Sequence, residues 1–137
     1  MQVIRLFGRC DSPLVSRTAG RMETGKMTTI TDSYMKEMLP KAKAYTLVIL
    51  RSTAKRKESG VEKFVWEHAR RNFSLRADGL LPIVCPVADG SECSGIGIFT
   101  ASAEETKKIM DADPGVEAGI FVYEIHPCRG FPGSSLP

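Results

Sequence analysis

Two residues in this chain combine reactive chemistry with a constrained placement, Asp113 and His68. Asp113 precedes Pro114, and proline bars helical backbone in the residue before it, so the Asp113 carboxylate is turned away from the helix that ends there. Asp also favours turns on its own account, by accepting from nearby amides, so a purely structural role fits equally. His68 shares an apolar stripe with Val61, Phe64, Val65 and Ala69, a spacing that puts all five on one helix face. Imidazole titrates near neutral pH, and a carboxylate that orients one ring nitrogen makes it the simplest general base a protein can assemble. The competing reading is a core histidine bonded to its surroundings. Geometry decides between them.

The elements that must bring the two together can be read from the pattern. Ala44 to Leu50 is β-branched and apolar, a first strand. Ser59-Gly60-Val61-Glu62 has capping-box spacing and opens a first helix that runs to about Asp78, with Gly79 as the left-handed residue beyond its end. Counted from Ser59, His68 lies about 13 Å down that helix at 1.5 Å per residue. Leu80 to Pro86 reads as a second strand, Ala88 to Gly95 as a polar turn region and Gly97 to Ala101 as a third strand. Ser102 and Glu105 form a second capping box, opening a helix that Pro114 stops; Ile120 to His126 is the fourth strand.

The order β-α-β-β-α-β predicts an α+β fold, a ferredoxin-like plait with both helices on one face of an antiparallel sheet. Strands 1 and 4 are apolar on both sides, Tyr45, Leu47 and Ile49 against Val48 and Leu50, and Phe121, Tyr123 and Ile125 against Ile120 and Val122. The uncovered face therefore calls for a partner, and a homodimer packing sheet to sheet is expected. Residues 1–43 are read as an N-terminal arm, 44–127 as the domain and 128–137 as an irregular tail from which Phe131 and Leu136 could fasten across the partner.

At 137 residues the chain has room for one domain. Its net charge of +3 arises in residues 1–26, which hold Arg5, Arg9, Arg17, Arg21 and Lys26 against Asp11 and Glu23, whereas the remainder balances at 14 basic and 14 acidic residues. The domain itself thus has no net attraction for nucleic acid, and no nucleic-acid partner is expected. Residues 1–26 are expected to lie outside the fold, as an upstream start, an Arg-rich targeting peptide or a disordered arm. No apolar run reaches spanning length, so no membrane association is expected and a cytoplasmic location is. Cys10, Cys85, Cys93 and Cys128 show no metal-ligand spacing and are read as free thiols, with Cys85 a small packing residue. No metal or cofactor is expected. His126 reads as a solvent-facing polar residue, Trp66 and Phe73 as a flank opposite the His68 stripe that buries against the tail or the N-terminal arm, and Arg70 and Arg71 as a solvated face.

Three pieces of the stretch from about Tyr45 to Pro127 resemble the YciI-like (YCII-related) proteins of the dimeric α/β-barrel superfamily. Ala112-Asp113-Pro114 with Val116-Glu117-Ala118-Gly119 resembles that family's D-P-x-V-E-A-G signature. His68, eleven residues before Gly79-Leu80-Leu81 and followed later by Pro86, resembles its H…G-x-L-L…G-P pattern, and Ser102-Ala103-Glu104-Glu105 its S-x-E-E helix start. The sequence departs from the pattern at Gly115, where relatives commonly carry an aromatic residue, and at Cys85, where they often carry glycine. The resemblance implies a ferredoxin-like homodimer of the dimeric α/β-barrel type with an apolar pocket beside a His-Asp pair. His68 would then be the base and Asp113 its orienter, with Tyr45, Phe64 and Pro114 as candidate contacts to a small organic ligand. The implied function is a cofactor-independent acid/base step, proton transfer or lyase-type; the alternative is a non-catalytic dimeric ligand-binding or interaction module.

Overall fold

Alternation of apolar residues builds the sheet first. In the computed structural model, which describes residues 27–137, strand β1 (Lys43–Ser52) buries Thr46, Val48 and Leu50 on one side. Its other side carries Tyr45, Leu47 and Ile49, all half-exposed. Strands β2 (Ile83–Pro86), β3 (Cys93–Phe99) and β4 (Phe121–Gly130) complete one sheet in the order β2-β3-β1-β4, with every neighbouring pair antiparallel. Helix α2 (Glu62–Ala77) and helix α3 (Ala103–Asp111) follow β1 and β3. This order and sense are consistent with a ferredoxin-like α+β plait.

The core joins the inward side of the sheet to the helices. Val48, Leu50, Phe99 and Phe121 form one buried cluster with Leu75 of α2 and Met110 of α3. Phe99 and Ile120 are at most 2% exposed, and full burial of a side chain of that size is worth about 1.5–3 kcal/mol. Ile120 and Phe121 therefore fix where β4 begins.

Several boundaries differ from the sequence reading, each for a local reason. Helix α2 starts at Glu62, and no side chain caps it; Gly60 is left-handed at φ +82 and turns Ser59 away, while Val61 is buried at the helix start. Burial of valine wins over the cap. The other capping box forms in full, with Ser102 Oγ accepting from Glu105 N at 3.2 Å and Glu105 Oε2 accepting from Ser102 N at 3.0 Å. Leu80 and Leu81 do not join β2, because their amides donate to Leu75 O and close the end of α2, where Gly79 has φ +75. Strand β3 begins at Cys93, inside the stretch read as a turn. Gly95 and Gly97 sit in it where a Cβ would come 3.0 Å from Cys85 O and 2.9 Å from Leu81 Cδ1, so both mark close approach, and Gly95 is strand rather than the turn of the sequence reading.

Strand β4 extends past His126 to Gly130, so the irregular segment begins at Phe131 rather than at residue 128. Pro127 is tolerated opposite Thr46 because β4 is an edge strand. The arm assigned to residues 1–43 contains a helix, α1 (Asp32–Met38), within the compact unit Asp32–Pro137. The readings of residues 1–26, including Cys10, lie outside the described residues. Among the described residues no helix is long and apolar enough to cross a membrane.

The two boxes differ in a measurable way. Ser102→Ala should lower stability by about 1 kcal/mol, and Ser59→Ala should leave it unchanged, as read by urea denaturation of both variants.

Candidate functional site

Asp113 is placed by its own turn. Its backbone is extended at φ −74 and ψ 131, as the following proline requires, and it caps a single helical turn, α4 (Pro114–Glu117). Pro114 occupies the first helical position, where a missing N–H loses nothing. Oδ1 of Asp113 accepts from the amides of Gly115 at 2.9 Å and Val116 at 3.2 Å. Left-handed Gly119, at φ +71, ends the turn and leads into β4. The sequence reading places the fourth strand from Ile120 and assigns no element between it and the proline; one turn of helix fills that interval.

The second carboxylate oxygen meets α2. Because α2 begins at Glu62, His68 lies only about 9 Å along its axis, within reach of the α3–α4 junction. His68 Nδ1 and Asp113 Oδ2 are 2.9 Å apart. Asp113 is 1% exposed and the His68 side chain 12%. A carboxylate oxygen only accepts, so the proton of this bond sits on Nδ1, and the lone pair left on Nε2 accepts from Asn72 Nδ2 at 3.0 Å. The Phe121 ring lies against the imidazole, with centroids 4.9 Å apart.

Phe121 also explains Gly115. A Cβ at residue 115 would come 2.5 Å from Phe121 Cδ2 and 3.2 Å from Asp113 Oδ1. The space that a side chain at 115 would fill belongs to the phenyl ring of residue 121, which serves as the aromatic wall beside His68.

The electrostatics of Asp113 are a balance. Burial is the largest single influence and pushes its carboxyl up; the hydrogen bond and charge of His68, with the Val116 and Gly115 amides, outweigh it, and the net direction is down. Arg71 Nη1 lies 3.8 Å from Oδ2, too long for a hydrogen bond, and is buried with no hydrogen-bond partner. A second titrating contact closes the same corner of the fold. Tyr123 of β4 donates to Asp111 at the end of α3, and desolvation together with that bond pushes the phenol up to about 12.

His68 opens on a cleft of about 1590 Å³ that runs along the β2 edge. Val65, His68, Asn72 and Arg76 of α2 line one side, and β2 and the segment from Phe131 to Leu136 line the other. The remaining expected contacts lie apart from this constellation. Tyr45 reaches the cleft from the opposite sheet face, packed over Gly130, whose Cβ would come 3.2 Å from the ring. Phe64 packs on the core beneath Lys63, and neither it nor Pro114 is among the residues lining the cleft. Asn72 and Phe121 were missed. Asn72 had a signal, its position one helical turn after His68, whereas Phe121 required the tertiary fold.

Elsewhere the structure refines smaller points. Cys85 is half-exposed opposite Ile96, not buried, and His126 is an exposed residue 3.3 Å from Glu124. Trp66 and Phe73 are not buried against another segment as expected but are 65% and 70% exposed. Cys85, Cys93 and Cys128 are free thiols. Among the described residues no group of three His, Cys, Asp or Glu side chains is arranged to hold a metal ion. A comparison of the chain with protein-family models finds no match, and neither does one with curated proteins.

The depressed Asp113 carboxyl has a defined pH signature. A folded-state value below the unfolded one adds stability that is present above the unfolded value, about 3.9, and is lost as pH falls through the folded value. The stability advantage of wild type over Asp113→Asn should therefore shrink on going from pH 5 to pH 2, as followed by denaturant melts of both proteins. A difference that grows on acidification would contradict the assignment.

Proposed function

We propose that this protein is a small acid/base catalyst of the YciI-like type, in which His68 exchanges a proton with a small organic molecule bound in the cleft along β2. The supporting observation is the chain Asp113–His68–Asn72, which fixes the ring, its tautomer and the nitrogen that faces away from the carboxylate. Asp113 orients His68 and stabilises the imidazolium once a proton is taken up. Asn72 is the placeholder. Its amide donates to Nε2 while that nitrogen is unprotonated, and rotation of the amide by half a turn presents its oxygen to an Nε2–H instead. No metal or bound cofactor enters this scheme; the reacting proton passes between the ligand and Nε2.

The same proposal places the active form in a homodimer of the dimeric α/β-barrel type. Its support is the sheet face away from the helices, where Ile96 is 39% and Val122 52% exposed with Leu47 and Ile49 half-exposed. Strand β4 is not apolar on this face as expected, because Glu124 stands opposite Ile49 and His126 opposite Leu47, while Ile120 is buried. Exposed apolar groups on one sheet face are covered most simply by a second copy of the chain. A cytoplasmic location belongs to this reading. Ile96→Lys is expected to convert dimer to monomer in analytical ultracentrifugation, and a wild-type protein that is monomeric at high concentration would remove the dimer.

One observation favours a second reading, a ligand-binding module without chemistry. Both nitrogens of His68 are already engaged, and the ring is 12% exposed, so the network also serves simply to clamp α2 to the α3–α4 turn. Hydrogen–deuterium exchange separates the two. Small carbon acids that raise the melting temperature would be incubated with the protein in D2O and followed by proton NMR. The catalytic reading expects exchange of a C–H proton by wild type and a loss of about a hundredfold or more in His68→Ala. Binding without exchange in either protein leaves the module.

A further inference from the structure

The charge of the cleft departs from that of the protein around it. From Met27 onward basic and acidic residues are equal in number, yet the cleft is lined by Arg56, Lys57, Arg76 and Arg129 against a single carboxylate, Glu92. None of the four cations has a carboxylate partner among the described residues. The ion pairs of Lys41, Arg51, Arg70, Lys107 and Lys108 all lie at other positions. Arg56 is half-buried in the turn Ala54–Lys57 that leaves β1, and Arg76 projects from the last turn of α2, two turns beyond His68.

Unpaired cations on apolar walls form a field, since a cleft lined with one sign of charge concentrates counter-ions within it. The apolar lining left accessible includes Val65 and Phe73 of α2 and Ile83 and Val84 of β2. Asp113 adds no opposing charge at the surface, because it is 1% exposed and faces His68, Arg71 and two amides.

We infer that the cleft takes an amphipathic organic anion, a carboxylate on an apolar body, drawn in by the field of its unpaired cations and with the body laid along the apolar lining beside His68. This names the ligand class for the site in the proposed function and rests on reading the cleft as a small-molecule site. It does not depend on whether His68 is catalytic.

Calorimetric titration of the full chain with octanoate, 1-octanol and octylammonium, three probes with one apolar body and different heads, tests the assignment. At low salt octanoate should bind about tenfold or more tightly than octanol, with octylammonium weakest, and its advantage should shrink as salt rises. The double variant Arg56→Gln, Arg76→Gln should lose about tenfold in octanoate affinity while octanol affinity stays unchanged, the latter serving as the control for an intact cleft. Should that variant not fold, the ranking of the three probes on wild type decides alone. Equal affinities, a preference for octylammonium, or no binding of any of the three would overturn the inference. The acid/base reading is decided separately, by exchange in His68→Ala, and that variant should retain the octanoate preference.

Discussion

A carboxylate taken almost wholly out of water must be given donors, and in this protein that requirement organises the end of the fold where the second helix stops. An unpaired buried charge is penalised by several kcal/mol, and Asp113 meets the demand from two directions. Its own turn supplies the Gly115 and Val116 amides to one oxygen, and α2 supplies His68 to the other. The pair therefore acts as a clamp between elements far apart in sequence. Gly115 cannot carry a side chain without striking Phe121, and Phe121 cannot move without losing its place against the imidazole.

Much of this corner was legible in the residues. The extended backbone of Asp113 follows from Pro114, the Ser102 cap from its spacing to Glu105, and the end of α2 from Gly79, because each depends on interactions within a few residues. What was illegible depended on residues remote in sequence. Ser59 has the spacing of a cap, but Gly60 and the burial of Val61 move the helix start. Gly95 looks like a turn residue, and only the approach of β2 reveals it as strand. Pro127 looks like a stop until β4 is seen to be an edge. The His68–Asp113 contact was an expectation from topology, whereas Asn72, Phe121 and Arg71 as its neighbours were supplied by the packing.

The same architecture accounts for the cleft beside α2. Strand β2 is only four residues long, so the side of α2 that carries His68, Asn72 and Arg76 is not fully covered by sheet and borders the cleft instead. A short strand thus converts part of a helix's inward face into a wall. The clamp lies at the back of that wall with its carboxylate sealed, and the ring nitrogen remote from Asp113 is bonded to Asn72.

The tautomer of His68 tests this account most directly. Long-range proton–nitrogen correlation NMR of the uniformly labelled protein, with the ring in its neutral form, reports which nitrogen carries the proton. The account predicts a proton on Nδ1 and an unprotonated Nε2, reverting to a mixture in Asp113→Asn. A neutral His68 protonated on Nε2 in the wild-type protein would contradict it.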